Sequence, residues 1–207
     1  MFASTITARG RVAALDATVH LVRDELLPRV DRLDGCTGMS LLAGRRTGRA
    51  IVTTGWRTEE AMWAGTRRME EATQRIGRTL GAAPQRAEWE VGLLHRVHPA
   101  GPRAVCRLVW SILPDADRID DDLATFRLAL LPRIEELTGF RSASLLVDRR
   151  RARTVLAVTY ADREAMLTAG QRADALRQDY ARQMGGRITE VTDLELVVAH
   201  LGVPETV

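Results

Sequence analysis

Two histidines, His95 and His200, are the side chains of this sequence best suited to acid–base chemistry. They lie 105 residues apart, each close to the end of one half of the 207-residue chain. Because histidine titrates near neutral pH, either one could take a proton from a phenolic substrate and leave an oxidisable anion. We therefore treat both as candidate catalytic residues. The alternative is a strand-end histidine that backbone groups or water satisfy.

Aromatic side chains form the second candidate group. Trp56, Trp63, Trp89 and Tyr160 could line a pocket for a small aromatic or apolar ligand, since such pockets are built mostly from apolar side chains. Core packing is the alternative for each of them. Three of the four lie in the first half of the chain. We therefore expect at most one half to keep a working pocket, and we expect that half to be the first.

The composition excludes several kinds of site. All 30 basic residues are arginine, and the chain contains neither lysine nor asparagine. Lysine Schiff-base nucleophiles, lysine-bearing phosphate loops and asparagine-based oxyanion sites are therefore excluded. The net charge of +3 is spread over the whole chain. Since nucleic-acid-binding proteins concentrate basic residues on one face, we expect no nucleic-acid partner.

The remaining composition indicates a reducing, aqueous compartment. Cys36 and Cys106 are too few and too far apart for a disulfide framework. No apolar run approaches the roughly 18 residues of a membrane span, and residues 1–20 lack a signal pattern. No pair of histidines has metal-ligand spacing on one helix. We expect a cytoplasmic protein with no metal, no cofactor and no membrane contact.

The sequence contains itself twice. Residues 26–62 align with residues 130–166 without a gap, and 15 of the 37 positions are identical. Average residue usage would give roughly two to four identities. The offset of 104 then slips to 105, which brings His95 opposite His200. We predict two similar domains, residues 1–99 and 100–207, joined at a turn-rich segment.

Each repeat has the pattern strand–helix–strand–strand–helix–strand. Apolar residues recur every three or four positions in two helices per repeat, and short β-branched runs form the strands. Pro28 and Pro132 interrupt the first helix of each repeat, so a kink is expected at both places. The second helix is expected to begin after Thr58 in one repeat and Asp162 in the other, both of which are good N-cap residues.

The βαββαβ order is that of a ferredoxin-like unit, an antiparallel sheet with both helices on one face. The other face of each sheet is also apolar and needs cover. The sequence therefore predicts an α+β protein in which two ferredoxin-like repeats bring their sheets together as an intramolecular barrel with the helices outside.

Residues 38–49 and 56–62 lead from one strand through the next into the second helix, and residues 144–149 and 160–166 repeat the pattern. These segments resemble the antibiotic biosynthesis monooxygenase family of the dimeric α+β barrel superfamily. Trp56 matches that family's aromatic residue at the end of strand three, with Tyr160 as its counterpart. Members usually pair as homodimers, so the resemblance implies a fused pseudo-dimer, which could dimerise further.

The resemblance implies cofactor-independent oxygenation of aromatic polyketide-like substrates or, in another branch, oxidative haem breakdown. Both chemistries use an asparagine near the pocket, and this chain has none. The haem branch also uses a histidine on the second helix, which neither repeat contains.

Two hypotheses about function follow. We favour a small-ligand-binding or interaction module whose pocket is lined by Trp56, Trp63, Trp89 and Tyr160. The alternative is a cofactor-independent monooxygenase acting on an aromatic or polyketide-like substrate, with His95 and His200 as its catalytic bases. A haem-binding or haem-degrading role ranks third.

Overall fold

The computed structural model describes residues 1–201, which contain eight β-strands. The sequence predicts strands over residues 2–8, 39–45, 49–56, 87–97, 104–112, 142–149, 153–160 and 190–199, and each strand of the structure lies within three residues of these bounds. They are β1 Phe2–Arg9, β2 Cys36–Gly44, β3 Arg49–Trp56, β4 Gln85–Arg96, β5 Val105–Ile112, β6 Phe140–Asp148, β7 Arg153–Tyr160 and β8 Arg187–Leu201.

Two helices in each repeat connect these strands, and each helix consists of consecutive segments. The segments are Leu15–His20, Leu21–Leu26 and Leu27–Val30 in α1; Glu59–Arg68 and Glu70–Leu80 in α2; Ile119–Thr125, Phe126–Leu130 and Leu131–Glu135 in α3; and Arg163–Thr168 and Gly170–Gln183 in α4. Two short 3-10 turns, Val12–Ala14 and Arg149–Arg151, complete the helical structure of the described chain.

Proline widens the first helix of each repeat at equivalent places. The segments Leu21–Leu26 and Phe126–Leu130 are π-helical, and each ends one residue before the segment that contains the proline. Leu27 N–H donates to the carbonyl oxygen five residues back, on Val22. A proline has no N–H to donate and its ring crowds the preceding turn, so the wider register accommodates it. The predicted interruption is thus present in both repeats.

Side-chain caps begin the second helices as the sequence predicts. Ala61 N–H donates to Thr58 Oγ1 at 3.2 Å, and Ala165 N–H donates to Asp162 Oδ1 at 2.9 Å. Gly81 ends α2 in the left-handed conformation, with φ of 72°. A side chain would be strained there, so glycine is suited to the position.

The strands form a closed antiparallel barrel in the order β1-β3-β2-β8-β5-β7-β6-β4. This confirms the predicted α+β barrel of two ferredoxin-like repeats. The last strand of each repeat pairs with the middle strand of the other: β4 pairs with β6, and β8 pairs with β2. In these pairs His95 lies opposite Ala143, and His200 lies opposite Met39.

The chain divides into two compact units that do not coincide with its two halves. The first unit combines Met1–Trp89 with β8 from Leu194 onward, and the second contains Glu90–Asp193. β4 and β8 are each split between the units because each strand makes its later hydrogen bonds with the other repeat. The repeat boundary at residue 99 remains a prediction about the sequence.

Each unit has its own core between its helices and one face of its strands. In the first unit Met39 and Leu41 of β2 pack with Val22, Leu26 and Ile76 of α1 and α2. The equivalent residues of the second unit are Ala143, Leu145, Phe126, Leu130 and Tyr180, which also cluster. The two periodicities of the sequence, 2 for strands and 3.6 for helices, place these residues on facing surfaces.

None of the helices in the described part of the chain is long and apolar enough to cross a membrane.

Candidate ligand-binding site

The two histidines occupy equivalent places and contact equivalent acids. His95 Nε2 lies 3.0 Å from Glu135 Oε1, and the His95 ring stacks on Phe140 with 6.3 Å between centroids. His200 Nε2 lies 3.2 Å from Asp31 Oδ1. Asp31 and Glu135 are 104 residues apart at the C-terminal ends of α1 and α3. Each histidine therefore links a last strand to the first helix of the other repeat.

The Trp56 side chain is fully buried and fills the space beneath α2. Its Nε1–H donates to Ser4 Oγ at 3.1 Å. Its six-membered ring lies against Gly65: a Cβ added to that glycine would be 1.9 Å from Trp56 Cη2. The indole thus takes up the room that a ligand would need beside this residue.

The other two tryptophans do not join Trp56. Trp63 is on the outer side of α2 and is 42% exposed. Trp89 is buried, and its Nε1–H donates to Thr5 Oγ1 at 2.9 Å. Thr5 alternates along β1 with Ser4 and Ile6, so it belongs to the opposite face of the strand. The structure therefore does not bring the three tryptophans of the first repeat together.

An apolar cavity of about 30 Å³ lies instead in the second unit, beside Tyr160. Strands β5 and β7 form its floor, and helices α3 and α4 cover it. Its apolar and aromatic lining consists of Val109, Phe126, Leu130, Ile134, Leu137, Leu156, Val158, Tyr160, Ala173, Leu176 and Tyr180.

Two arginines complete the lining of this cavity. Arg107 makes a two-pronged ion pair with Asp193, with its Nε and Nη2 at 2.7 and 2.9 Å from the carboxylate oxygens. Arg177 Nη2 donates to Asp174 Oδ1 at 2.5 Å. Arg177 Nη1 is buried and has no hydrogen-bond partner. The Arg107 guanidinium is therefore paired with a carboxylate through two donors, and Arg177 keeps a buried donor without a partner.

The Tyr160 phenol keeps its proton at neutral pH. Burial raises its pKa to about 12, although the nearby positive charges of Arg107 and Arg177 act in the opposite direction. A protonated phenol can donate a hydrogen bond. Arg107, Arg177 and Tyr160 thus supply polar groups among the residues that line the cavity.

Differences between equivalent residues of the two repeats explain why there is apolar space beside Tyr160 and none beside Trp56. Where the second repeat has Tyr160 and Ala173, the first has the larger Trp56 and Met69 at the equivalent positions. At the position of Arg177 it has Thr73, whose hydroxyl donates to the Met69 carbonyl oxygen at 2.9 Å. The first unit retains a cavity of about 20 Å³ with a more polar lining.

Arg107 and Arg177 were not among the predicted site residues, although the sequence contains a pattern that indicates both. Arg107 stands between Val105 and Val109 at the two-residue spacing of one strand face. Arg177 occupies the position of Thr73 on the buried side of the second helix. A charged residue on a buried face, present in one repeat only, is the pattern that identifies them.

The chain has close relatives in a mycobacterium. The uncharacterized proteins Rv2557 and Rv2558 of Mycobacterium tuberculosis (strain ATCC 25618 / H37Rv) are 36% and 35% identical to it. Each match covers 100% of this chain, with 92% and 88% of the respective relatives. The chain belongs to their family. No model of a known protein family matches the sequence.

Solved structures share the fold of this Rv2557-like chain. A “putative monooxygenase” from Lactobacillus acidophilus NCFM has a TM-score of 0.65 at 11% identity, with 95% of this chain and 93% of that one covered. An anthrone oxidase-like protein has a TM-score of 0.61 at 15% identity, with coverage of 99% and 94%.

A Listeria monocytogenes ferredoxin-fold protein related to antibiotic biosynthesis monooxygenases has a TM-score of 0.53 at 10% identity, with 94% of each chain covered. The Rv2557-like chain therefore has the ferredoxin-like α+β barrel fold of these proteins, which is the fold that its motifs indicated. Identities at this level establish the architecture, and a shared fold does not establish a shared reaction.

Within the described residues of this family member, no three His, Cys, Asp or Glu side chains are placed to hold a metal ion. The thiol of Cys106 is fully buried, and burial raises its pKa to about 12. Burial also raises the pKa of Cys36. A thiol in such an environment is a poor nucleophile, because the thiolate is the reactive form.

Proposed function

We propose that this protein binds a small apolar or aromatic ligand in the cavity of its second repeat, beside Tyr160. The observation that carries the proposal is a mostly apolar lining that includes a few polar groups, among them Arg107, Tyr160 and Arg177. Small-molecule sites in proteins have this composition, in which apolar walls supply affinity and a few polar groups supply orientation.

The ligand must widen the cavity when it binds. A volume of about 30 Å³ accommodates water-sized occupants, whereas pockets for drug-sized ligands have roughly 300–1,000 Å³. One irregular helix segment borders the space, and a second lies about one helical turn from the lining residues of α4. Phe126 and Leu130 belong to the π-helical part of α3, and α4 is interrupted at Ala169. Such segments can change register with less loss of packing than a regular helix.

Calorimetric titration with naphthalene-sized probes tests the proposal. We would use 2-naphthol, 2-naphthamide and 2-naphthoate, and we expect at least one of them to bind with a negative heat-capacity change, the mark of apolar burial. Ala173→Met introduces the first-repeat residue into the lining of the cavity. We expect this variant to weaken binding at least tenfold.

Ala175→Met is the matched control, because Ala175 is on the exposed side of the same helix. It should bind as the unmodified protein does. If no probe binds, or if Ala173→Met binds every probe unchanged, the proposed function is wrong.

The catalytic alternative is a cofactor-independent monooxygenase that uses His95 and His200. The residues lining the cavity, all within the described chain, include no histidine. His200 is also half-exposed. We place binding ahead of catalysis for this reason. Oxygen uptake with polycyclic phenols, abolished by alanine at both histidines but retained in Ala173→Met, would reverse the order.

A further inference from the structure

We infer that the ligand of the second-repeat cavity is an apolar carboxylate whose anionic oxygens are held by Arg177. This inference rests on the proposed function and specifies its ligand class. The unused, buried Nη1 donor of Arg177 is the observation that carries it.

Arg177 is held in place by Asp174, but its Nη1 donor has no acceptor. Its side chain is 20% exposed, and Asp174 accepts from Nη2 only. A buried donor without an acceptor destabilises a protein, and the effect is larger for a charged group. The Nη1 group of Arg177 already lost its hydration water when the protein folded. A ligand with an acceptor atom beside Nη1 therefore gains a hydrogen bond without that cost.

Arg107 does not compete for such an occupant. Both of its donors that face Asp193 are engaged, and its charge is balanced by that carboxylate. Arg107 is held by Asp193, while Arg177 keeps a donor without a partner.

The Tyr160 hydroxyl also favours a ligand with an acceptor atom. Tyr160 is protonated at neutral pH because burial raises its pKa to about 12. Arg177 has no acceptor atom, and the Tyr160 hydroxyl can donate. A carboxylate has two acceptor oxygens, and hydrogen bonds from a guanidinium to an anion are shorter and stronger than those to a neutral oxygen.

The rest of the lining determines the body of the ligand. Apart from the two arginines and the tyrosine hydroxyls, the cavity presents only carbon side chains, including Leu130, Leu156 and Leu176. A hydrophilic acid would leave these surfaces without apolar contact. The chemistry therefore selects an aromatic or branched aliphatic carboxylic acid, in its ionised form.

A pair of ligands of equal shape separates charge from size. 2-Naphthoate and 2-naphthamide differ in the polar group alone. We expect calorimetric titration at pH 7 to give naphthoate at least a tenfold lower Kd. Arg177→Met should raise the naphthoate Kd at least tenfold and leave the naphthamide Kd unchanged.

Two control variants keep the test decisive. Arg172→Met removes an exposed arginine of the same helix, which pairs with Glu136 outside the cavity, and should change neither Kd. Asp174→Asn keeps Arg177 but removes the negative charge beside its Nη2, so the preference for naphthoate over naphthamide should be retained or increased. This second variant decides the question even if Arg177→Met does not fold.

The outcomes distinguish this inference from the function on which it rests. If naphthoate and naphthamide bind equally, or Asp174→Asn abolishes naphthoate binding, the assignment of Arg177 is wrong while a neutral apolar site stands. If no probe of either kind binds the unmodified protein, both proposals fail together.

Discussion

Arg149 Nε donates to Glu90 Oε2 at 2.5 Å, although the two residues belong to different sequence repeats. The equivalent pair, Arg45 and Glu195, is joined at 2.8 Å. Each arginine follows a middle strand, and each glutamate lies on the last strand of the other repeat. β4 and β8, which each pair with a strand of the other repeat, are thus joined to that repeat by equivalent ion pairs.

Removal of Arg149 is expected to weaken this exchanged contact. Arg149→Met loses hydrogen bonds to Glu90 and Asp120. Because the side chain is 37% exposed, solvent screening limits the loss to about 0.5–1 kcal/mol of unfolding free energy. Urea denaturation measures it, and the difference should shrink in high salt. Arg150→Met, at an exposed neighbouring position, serves as control, and an equal loss there would contradict the assignment.

Gly65 is expected to tolerate no side chain. Gly65→Ala would press a methyl group into the Trp56 ring, which lies 1.9 Å from the added atom. Overpacking of this kind costs about 1–3 kcal/mol. Gly170→Ala is the control, since an added Cβ there meets nothing within 4 Å. Thermal unfolding should show a lower Tm for Gly65→Ala only, and equal Tm values would refute the contact.

Asp148 is expected to lose its contribution to stability in acid. Burial by itself raises the pKa of Asp148, but hydrogen bonds from Arg153 and Arg151 outweigh it and hold the pKa below its usual range. A carboxyl with a depressed folded-state pKa stabilises the protein above its unfolded pKa of about 3.9, and the contribution disappears as pH falls through the folded value.

Asp148→Asn should therefore destabilise the protein more at pH 7 than at pH 3. Urea denaturation at the two pH values provides the measurement. Asp121→Asn, at an exposed position in α3, should show a small effect at both. A pH-independent loss for Asp148→Asn would mean that packing rather than charge accounts for its role.

The two cysteines are expected to differ in reactivity. Cys106 is fully buried with a pKa near 12, while Cys36 is only half-buried. Alkylation depends on exposure and on the thiolate fraction, so iodoacetamide should modify Cys36 first in the folded protein. Mass spectrometry of timed samples follows both sites, and unfolding in urea should equalise them. Faster labelling of Cys106 in the folded state would show that β5 opens.

Local features were predictable from the sequence because they depend on neighbouring residues. The caps at Thr58 and Asp162 require only a side chain three residues before the N–H that it accepts. Pro28 and Pro132 disturb their own helix wherever that helix packs. Because both halves of the chain show the same local pattern, the order of helices and strands could be predicted for each half, and the barrel fold was predicted from that order.

The site was less predictable because the cavity is the space left between side chains that are far apart in the sequence. Trp56 and Tyr160 are equivalent in sequence, yet one fills its space against Gly65 and the other borders a cavity. The difference arises from side-chain volumes at Met69 and Ala173, which meet the strands only after folding. The number of tryptophans therefore favours the first repeat, whereas the apolar cavity beside an aromatic residue lies in the second.

The sequence by itself determined two βαββαβ repeats, the starts of their second helices and the places where proline disturbs their first helices, since each follows from residues close together in the chain. Only the tertiary structure decided which strands pair, where the cavity lies, and that Arg177 has an unused donor while Arg107 has its Asp193. Those properties depend on hydrogen bonds and side-chain packing between residues that are far apart in the chain.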